Sequence, residues 1–444
     1  MKFHFISIGG AVMHNLALAL HKKGFTVTGS DDEIYEPAKS RLMQYNLLPS
    51  SAGWFPEKIT KDLDGVILGM HAKADNPELQ KAQELGLKIY SFPEFMYMQT
   101  ANKLRIVVGG SHGKTTTTAM ILHVLKQQNI AFDYLVGSQL EGFDTMVGFS
   151  SESKIAVFEG DEYLTSPIDR RPKFHVYKAD IGIITGVAWD HMNVFPTYDI
   201  YKEQFKIFAE QIPANGKLIF FNDDKDLVNI IEHSDIKAHK ISYSTPQFEI
   251  NDGQVFVLHH SIKYPLQIFG SHNLQNMMAA LFACKNVGIN ETDFLKAMAT
   301  FKGTAKRMEI LKQTDKSIII RDFAHAPSKV KATVNAVKEL HPQRKLIAVY
   351  ELHTYSSLSK EFLPQYINTL QKADVAAVLY SKHALQMKNM PMLEKQDVYN
   401  GFGNAVKVFD NKDELYQFIK DNFSENTNLL LMSSGNFDGM KLDF

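Results

Sequence analysis

Val107–Met120 reads VVGGSHGKTTTTAM, which sets glycines, one lysine and four threonines between two apolar runs. Upstream, LRIVVGG has the apolar run of a buried strand. Downstream, TTTAMILHVLKQQN has helical spacing. A glycine-rich turn between a strand and a helix exposes backbone N–H groups that can cradle phosphate oxygens, and the helix N-terminus favours their charge. Gly110 and Gly113 allow close approach of the backbone at Ser111 and His112. Lys114 can reach β- and γ-phosphates, and a hydroxyl of Thr115 or Thr116 can ligate Mg²⁺. The longer P-loop pattern asks for glycine where this chain has Val108, so the match is to the shorter G-x-x-G-K-T-T form.

Outward from that loop, the chain alternates strand and helix. FHFISIGG, FTVTGSDD, GVILGM and LKIYS read as strands of a first unit, with AVMHNLALALHKKG and PELQKAQELG as its helices. KIAVFEG, IGIITGV and GKLIFF continue the second unit, which turns β-rich near 240–270 and closes with the helix NLQNMMAALFACKNVGI. KSIIIRDF, RKLIAVYE, DVAAVLY and NLLLMSS are strands of a third, separated by helices such as PSKVKATVNAVKEL and KDELYQFIKDNF. The fold class expected is α/β in three domains: residues 1–101, 102–304 and 305–444.

The chain has 444 residues with 48 Lys+Arg against 49 Asp+Glu, so no global field favours nucleic acid or a membrane surface. Its one cysteine, Cys284, excludes an internal disulfide and reads as a buried structural thiol. Phe3–His21 carries no formally charged residue, but Gly9, Gly10, His14 and Asn15 interrupt it. A strand, turn and helix explain it better than an anchor or signal peptide, and the expected location is cytoplasmic.

Other constellations carry chemistry. AVFEGDEY places Glu159, Asp161 and Glu162 at a strand end, where three acids repel unless a cation offsets them. A carboxylate holding Mg²⁺ is one reading and a solvated acidic loop the other. IITGVAWDHMNVF brings Asp190 and His191 to another strand tip, where His191 is either structural or a metal ligand. In FGSHNLQNMMAA, Asn273 and Asn276 share a helix face and can pair with an adenine edge, or cap the helix. Arg307 follows a Gly/Thr turn, and Asp322 and His325 follow a strand, so a third domain could close over a nucleotide. In SIGGAVMHNLA, Gly9 and Gly10 form a degraded dinucleotide-type turn, and Asp31 ends the second strand where a ribose-binding acid would sit.

The order of these pieces resembles the Mur ligase family, ATP-dependent enzymes that build the peptide of bacterial cell-wall precursors. GGSHGKTTTT is similar to the family's ATP loop, GSHNLQNMMAA to its adenine-side asparagines, and WDHMNVF to its D-H-M/A-D-x-[YF] segment with Asn193 in place of the acid. The resemblance implies a Rossmann-like N-terminal domain for a UDP-linked substrate, a P-loop-type central ATPase domain, and an α/β C-terminal domain for the incoming amine. It implies an acyl phosphate formed from ATP, with Lys114, Glu159 and His191 as catalytic residues. Thr115, Glu159 and His191 would hold Mg²⁺. Gly110, Ser111, His112, Gly113, Thr115, Thr116, Asn273, Asn276, Arg307, Asp322 and His325 would bind nucleotide. EGDEYLTSPIDRRPKF, TGSDDEIYEPAKSRL, HAKADNPELQKAQELGLKIYSFPEF and LMSSGNFDGM resemble the branch that joins the tripeptide L-alanyl-γ-D-glutamyl-meso-diaminopimelate to UDP-N-acetylmuramate in peptide recycling. Gly9, Gly10, Asp31, His71, Arg170 and Arg171 are then the expected substrate contacts, with Lys173 a further cation of the insertion. The alternative is the sister activity with free L-alanine. Some relatives carry a carbamylated lysine where Lys206 stands, with Lys202 nearby; an exposed helical lysine is the other reading. From other classes, a nicotinamide-dependent oxidoreductase would leave the Gly/Lys loop without a role, and a non-catalytic nucleotide-binding protein would leave the acids without one.

Overall fold

The structure is a computed structural model that describes residues 1–190, 194–304 and 307–441. His191 and Asn193 therefore lie outside the described residues. The packing of the described residues forms two compact units: residues 1–189, 194–244 and 279–294, and residues 190, 245–278, 295–304 and 307–441.

The first unit holds two sheets. Four parallel strands run in the order Thr26–Ser30, Lys2–Ile6, Gly65–Leu68, Ile89–Ser91. Seven strands follow in the order His239–Tyr243, Lys217–Phe221, Ile181–Ile184, Leu104–Gly109, Ile155–Glu159, Phe132–Leu135, Val147–Gly148, all parallel except the last. Leu104–Gly109 is central. Burial does not alternate along it: Ile106, Val107 and Val108 are all buried, because helices cover both faces of a parallel sheet. From this strand the chain crosses to Phe132–Leu135 on one side and later places Ile181–Ile184 on the other. The strand order thus reverses at the carboxyl end of Leu104–Gly109, where open α/β sheets bind ligands.

Helix Tyr198–Glu210, capped by the Thr197 hydroxyl, buries Tyr201, Phe205 and Phe208 on one face. Phe205 and Phe208 pack against Phe174 with ring centroids 5.6 and 4.8 Å apart. Burying such a side chain contributes roughly 1.5–3 kcal/mol, and the same face carries Tyr201 towards the glycine loop. His4 of the strand Lys2–Ile6 and Glu78 of the helix Pro77–Glu84 are both fully buried. His4 Nε2 lies 3.3 Å from Glu78 Oε2, and the other carboxylate oxygen accepts the Phe55 N–H at 2.7 Å.

The second unit contains the antiparallel sheet Phe248–Asn251, Gln254–His259, Ile262–Leu266. Its larger sheet runs Glu309–Gln313, Ile318–Asp322, Thr427–Met432, Lys345–Leu352, Val375–Tyr380, Lys407–Phe409, with only the first strand antiparallel. Among the described residues no helix is long and apolar enough to cross a membrane. Cys284 is buried and unpaired, and burial pushes its thiol pKa far up, as a structural cysteine requires.

Candidate active site

The glycine loop joins Leu104–Gly109 to the helix Lys114–Gln127, which starts at Gly113 in a left-handed conformation (φ +78°). The end of the neighbouring strand pins it. Thr185 N–H and Oγ1–H both point to the Gly109 carbonyl at 3.1 Å, the Thr185 hydroxyl also reaches the His112 carbonyl, and Ser111 N–H donates to Gly186 O at 2.9 Å. Gly110 has φ +130°, and a Cβ there would sit 2.9 Å from the Thr185 nitrogen, so a side chain is excluded.

The acids of EGDEY lie beside this loop, because Val108 pairs in register with Glu159. The charge conflict read in the sequence is resolved one acid at a time. Glu159 accepts the Thr115 hydroxyl at 2.8 Å on one oxygen and the Gly137 N–H at 2.6 Å on the other. Asp161 pairs with Lys173 at 2.6 Å, and Glu162 with Lys114 at 2.7 Å. Burial works against both ions: it raises the Asp161 pKa, but the charges of Lys173 and Lys114 and the Lys173 hydrogen bond together turn the net shift down. For Lys114 burial lowers the pKa, and the charges of Glu162, Asp161 and Glu159 reverse this to a net rise. The ammonium is fully charged at neutral pH.

A hydroxyl and a carboxylate within hydrogen-bond distance of each other, Thr115 and Glu159, are hard oxygen donors of the kind Mg²⁺ takes. Ser111 is buried and hydrogen-bonded, Thr116 is buried, and His112 contributes its carbonyl to the loop. Lys206 is a partly exposed helical lysine 3.8 Å from Glu203, and Lys202 pairs with Asp199 at 2.9 Å. Arg171 is committed to Asp169 at 2.6 Å, with Glu94 at 3.5 Å, whereas Arg170 is exposed.

At the first turn of the chain, Asp31 accepts the Gly9 N–H at 2.7 Å. Burial raises its pKa to about 6, against the pull of that N–H. A cavity of about 650 Å³ opens beside this turn, lined by Gly9, His14, Asn15, Tyr35, Arg41 and Gln139 among others. Asn15 Oδ1 receives Arg41 at 3.0 Å and Met146 N–H at 2.9 Å, and Arg41 also donates to the Asp144 carbonyl. Gly10 caps the helix Ala11–Lys22, and His71 is exposed outside this lining. Asn15 and Arg41 lie within SIGGAVMHNLA and TGSDDEIYEPAKSRL, but the sequence reading gives neither a contact, because only the fold brings them together.

In the second unit, Asn273 spends its side-chain N–H on the Phe269 carbonyl at 2.9 Å, and Asn276 is buried one turn on. Asp322 accepts Met308 N–H and the Thr333 hydroxyl, each at 2.8 Å. Arg307 stacks over Phe323 at 5.7 Å, and His325 Nδ1 bonds the Phe323 carbonyl at 2.9 Å. Burial, aided by Lys329 and opposed by Asp190, lowers the His325 pKa to about 3. His272, absent from the sequence-based set, has its pKa lowered by burial, against the charge of Asp322 and with that of Arg307, and its Nδ1 is buried with no hydrogen-bond partner among the described residues.

Three family models cover nearly the whole chain: the Mur ligase family catalytic domain at residues 2–103, the Mur ligase middle domain at 108–284, and the Mur ligase glutamate ligase domain at 306–435. The chain belongs to the Mur ligase family. A UDP-N-acetylmuramate–L-alanine ligase of Caldicellulosiruptor bescii is 31% identical over 417 residues, 90% of this chain and 87% of that one. The enzyme of the same name from Caldanaerobacter subterraneus is 29% identical over 98% of this chain and 95% of its own. Among solved structures, a UDP-N-acetylmuramate–alanine ligase from Thermotoga maritima superposes with a TM-score of 0.70 at 21% identity, covering 99% of this chain and 97% of that one. A murein peptide ligase from Psychrobacter arcticus gives 0.64 at 23%, with the same coverage. These structures share the three-domain α/β architecture. This Mur ligase is an ATP-dependent acid–amine ligase of peptidoglycan synthesis.

Proposed function

We propose that this Mur ligase joins UDP-N-acetylmuramate to an amine at the expense of ATP, working in the cytoplasm. The observation that carries the reading is that Lys114 and Thr115, at the start of the helix after one strand, meet the acids at and just past the end of the adjacent parallel strand, Glu159 among them, on a chain whose relatives carry that substrate in their names. A carboxylate oxygen of the muramate attacks the terminal phosphorus of ATP, ADP departs, and the amine then attacks the acyl phosphate and expels phosphate. Lys114 meets the negative charge of the phosphates. The Thr115 hydroxyl and Glu159 would hold Mg²⁺, which would neutralise charge on the phosphate oxygens. We assign nucleotide contacts to Asn273, Asn276, Arg307, Asp322 and His325 from the resemblance, together with the working limits of the three domains at 101/102 and 304/305. The cavity beside Gly9, with Arg41 and His14, is our candidate for the UDP-linked substrate.

L-Alanine is the acceptor that the comparisons support better, because the curated relatives described above are L-alanine ligases. The tripeptide remains a second reading on one observation: the loop closed by the Leu164–Pro172 bridge exposes Ile168 and Arg170 beside the acidic strand end. Its basic character is reduced, since Arg171 and Lys173 already have acidic partners. Phosphate release from ATP and Mg²⁺ with UDP-N-acetylmuramate, run in parallel with L-alanine and with the tripeptide, decides. Turnover with L-alanine supports the first reading, and turnover with tripeptide alone supports the second. No turnover with either, by folded protein that binds ADP, refutes the muramate assignment.

A further inference from the structure

Lys114 Nζ donates to the Gly110 carbonyl at 2.6 Å and to Glu162 Oε2 at 2.7 Å. An ammonium has three N–H donors, and these are its two hydrogen-bond partners among the described residues. The side chain is 14% exposed, whereas that of Glu162 is 1% exposed. Behind Glu162 lies a buried chain of hydroxyls. Tyr201 O–H donates to Glu162 Oε1 at 3.2 Å, Tyr201 lies 2.8 Å from Ser111 Oγ, and Ser111 Oγ accepts Ala188 N–H at 2.8 Å. Each hydroxyl carries one proton. Since the Tyr201 proton goes to the carboxylate, the Ser111 proton goes to Tyr201. The donors therefore run from Ala188 through Ser111 and Tyr201 to Glu162, which accepts from Lys114 on its other oxygen, while Lys114 donates also to Gly110, the residue before Ser111.

We propose that Glu162 is a positioning residue: braced by Tyr201 and Ser111, it holds the Lys114 ammonium at the loop with two donors anchored and the third kept for a phosphate oxygen. This rests on the ATP-binding reading above. Glu162 does not touch nucleotide in this account, and its effect passes wholly through Lys114. That separates it from Glu159, whose oxygens meet Thr115 and Gly137 instead. It also separates it from an inhibitory counter-ion, which would have to be displaced before a phosphate could bind.

Tyr201→Phe is the discriminating variant, because it removes only the brace and leaves every charge in place. ADP affinity is measured by calorimetric titration, with EDTA and with Mg²⁺, for Tyr201→Phe in the Lys114 and Lys114→Ala backgrounds. The expected result is about five- to tenfold weaker ADP binding with Lys114 present, as for a buried hydrogen bond to a charged group, with or without metal. In the Lys114→Ala background no further weakening is expected, since the two residues form one unit. In turnover the ATP KM rises while the KM for the amine holds. Glu162→Gln, in the same cycle, serves if Tyr201→Phe does not fold. Equal effects in both backgrounds, unchanged or tighter ADP binding, or an effect seen only with Mg²⁺ would overturn the proposal. Wild-type protein that binds no ADP would instead overturn the nucleotide-site reading itself.

Discussion

Gly110→Ala probes whether the loop is a phosphate cradle or only a turn. Gly110 has φ +130°, and an added Cβ would lie 2.9 Å from the Thr185 backbone nitrogen and closer still to its hydroxyl oxygen. Holding a non-glycine residue in such a conformation costs about 1–3 kcal/mol. Relief of the clash moves the Thr185 hydroxyl away from the carbonyls of Gly109 and His112, which share its one proton, a hydrogen bond contributing about 1 kcal/mol. The sum is about 2–4 kcal/mol. The loop can shift instead of unfolding the sheet, so the cost appears as a smaller population of the binding-competent loop. At the lower bound of about 2 kcal/mol this is a loss of about thirtyfold in ADP affinity. Calorimetric ADP titration reads it, with circular dichroism to show that the fold persists. Gly24→Ala is the control: it also has positive φ (+86°) but open space around its Cβ, and its ADP affinity should not change. A folded Gly110→Ala protein that binds ADP within about threefold of wild type, well under 1 kcal/mol, would refute the reasoning.

Thr115→Val removes the hydroxyl that meets Glu159 while keeping the shape; Mg²⁺-dependent ADP binding should fall about tenfold or more, and Thr115→Ser should restore most of it. Glu78→Ala strands the buried His4 ring and the Phe55 N–H, and should destabilise the first unit by about 3 kcal/mol, read as an earlier urea transition; an unchanged transition would contradict the burial argument. His175 Nε2–H donates to the Gln204 carbonyl at 2.8 Å, and burial lowers the ring's pKa to about 4 despite that bond. The unfolded chain, with an ordinary histidine pKa near about 6.5, binds the proton first. Stability should therefore fall as pH drops from about 6.5 towards about 4, and His175→Gln should flatten that slope in melts at pH 7, 6 and 5.

The fold was legible where burial imposes a pattern. Ile106–Val108 and Ile181–Ile184 read as strands because both faces are covered, so no polar residue interrupts them. Phe132–Leu135 and the helix Phe92–Thr100 escape the sequence reading: the first buries only alternate residues, and the second mixes aromatics and methionines without a clear polar face. Its start was nonetheless encoded, since Ser91 and Glu94 form a reciprocal cap.

Within the site, what is local in sequence was readable and what is assembled by topology was not. Lys114 and Thr115 announce themselves by the glycines before them, and Glu159 by its place at a strand end. Nothing in EGDEY says which acid serves the hydroxyl and which the ammonium. That choice follows from strand register, which places Glu159 beside Val108 and leaves Glu162, three residues on, to turn back towards Lys114. Tyr201 is further removed: its hydroxyl reaches Ser111 only because Phe205 and Phe208 pack against Phe174 and fix the face of its helix. An apolar cluster distant in sequence thus sets the position of a polar atom at the loop. Substitutions at Phe174 or Phe208 should accordingly weaken ADP binding together with stability, whereas Tyr201→Phe should weaken the binding with far less loss of stability.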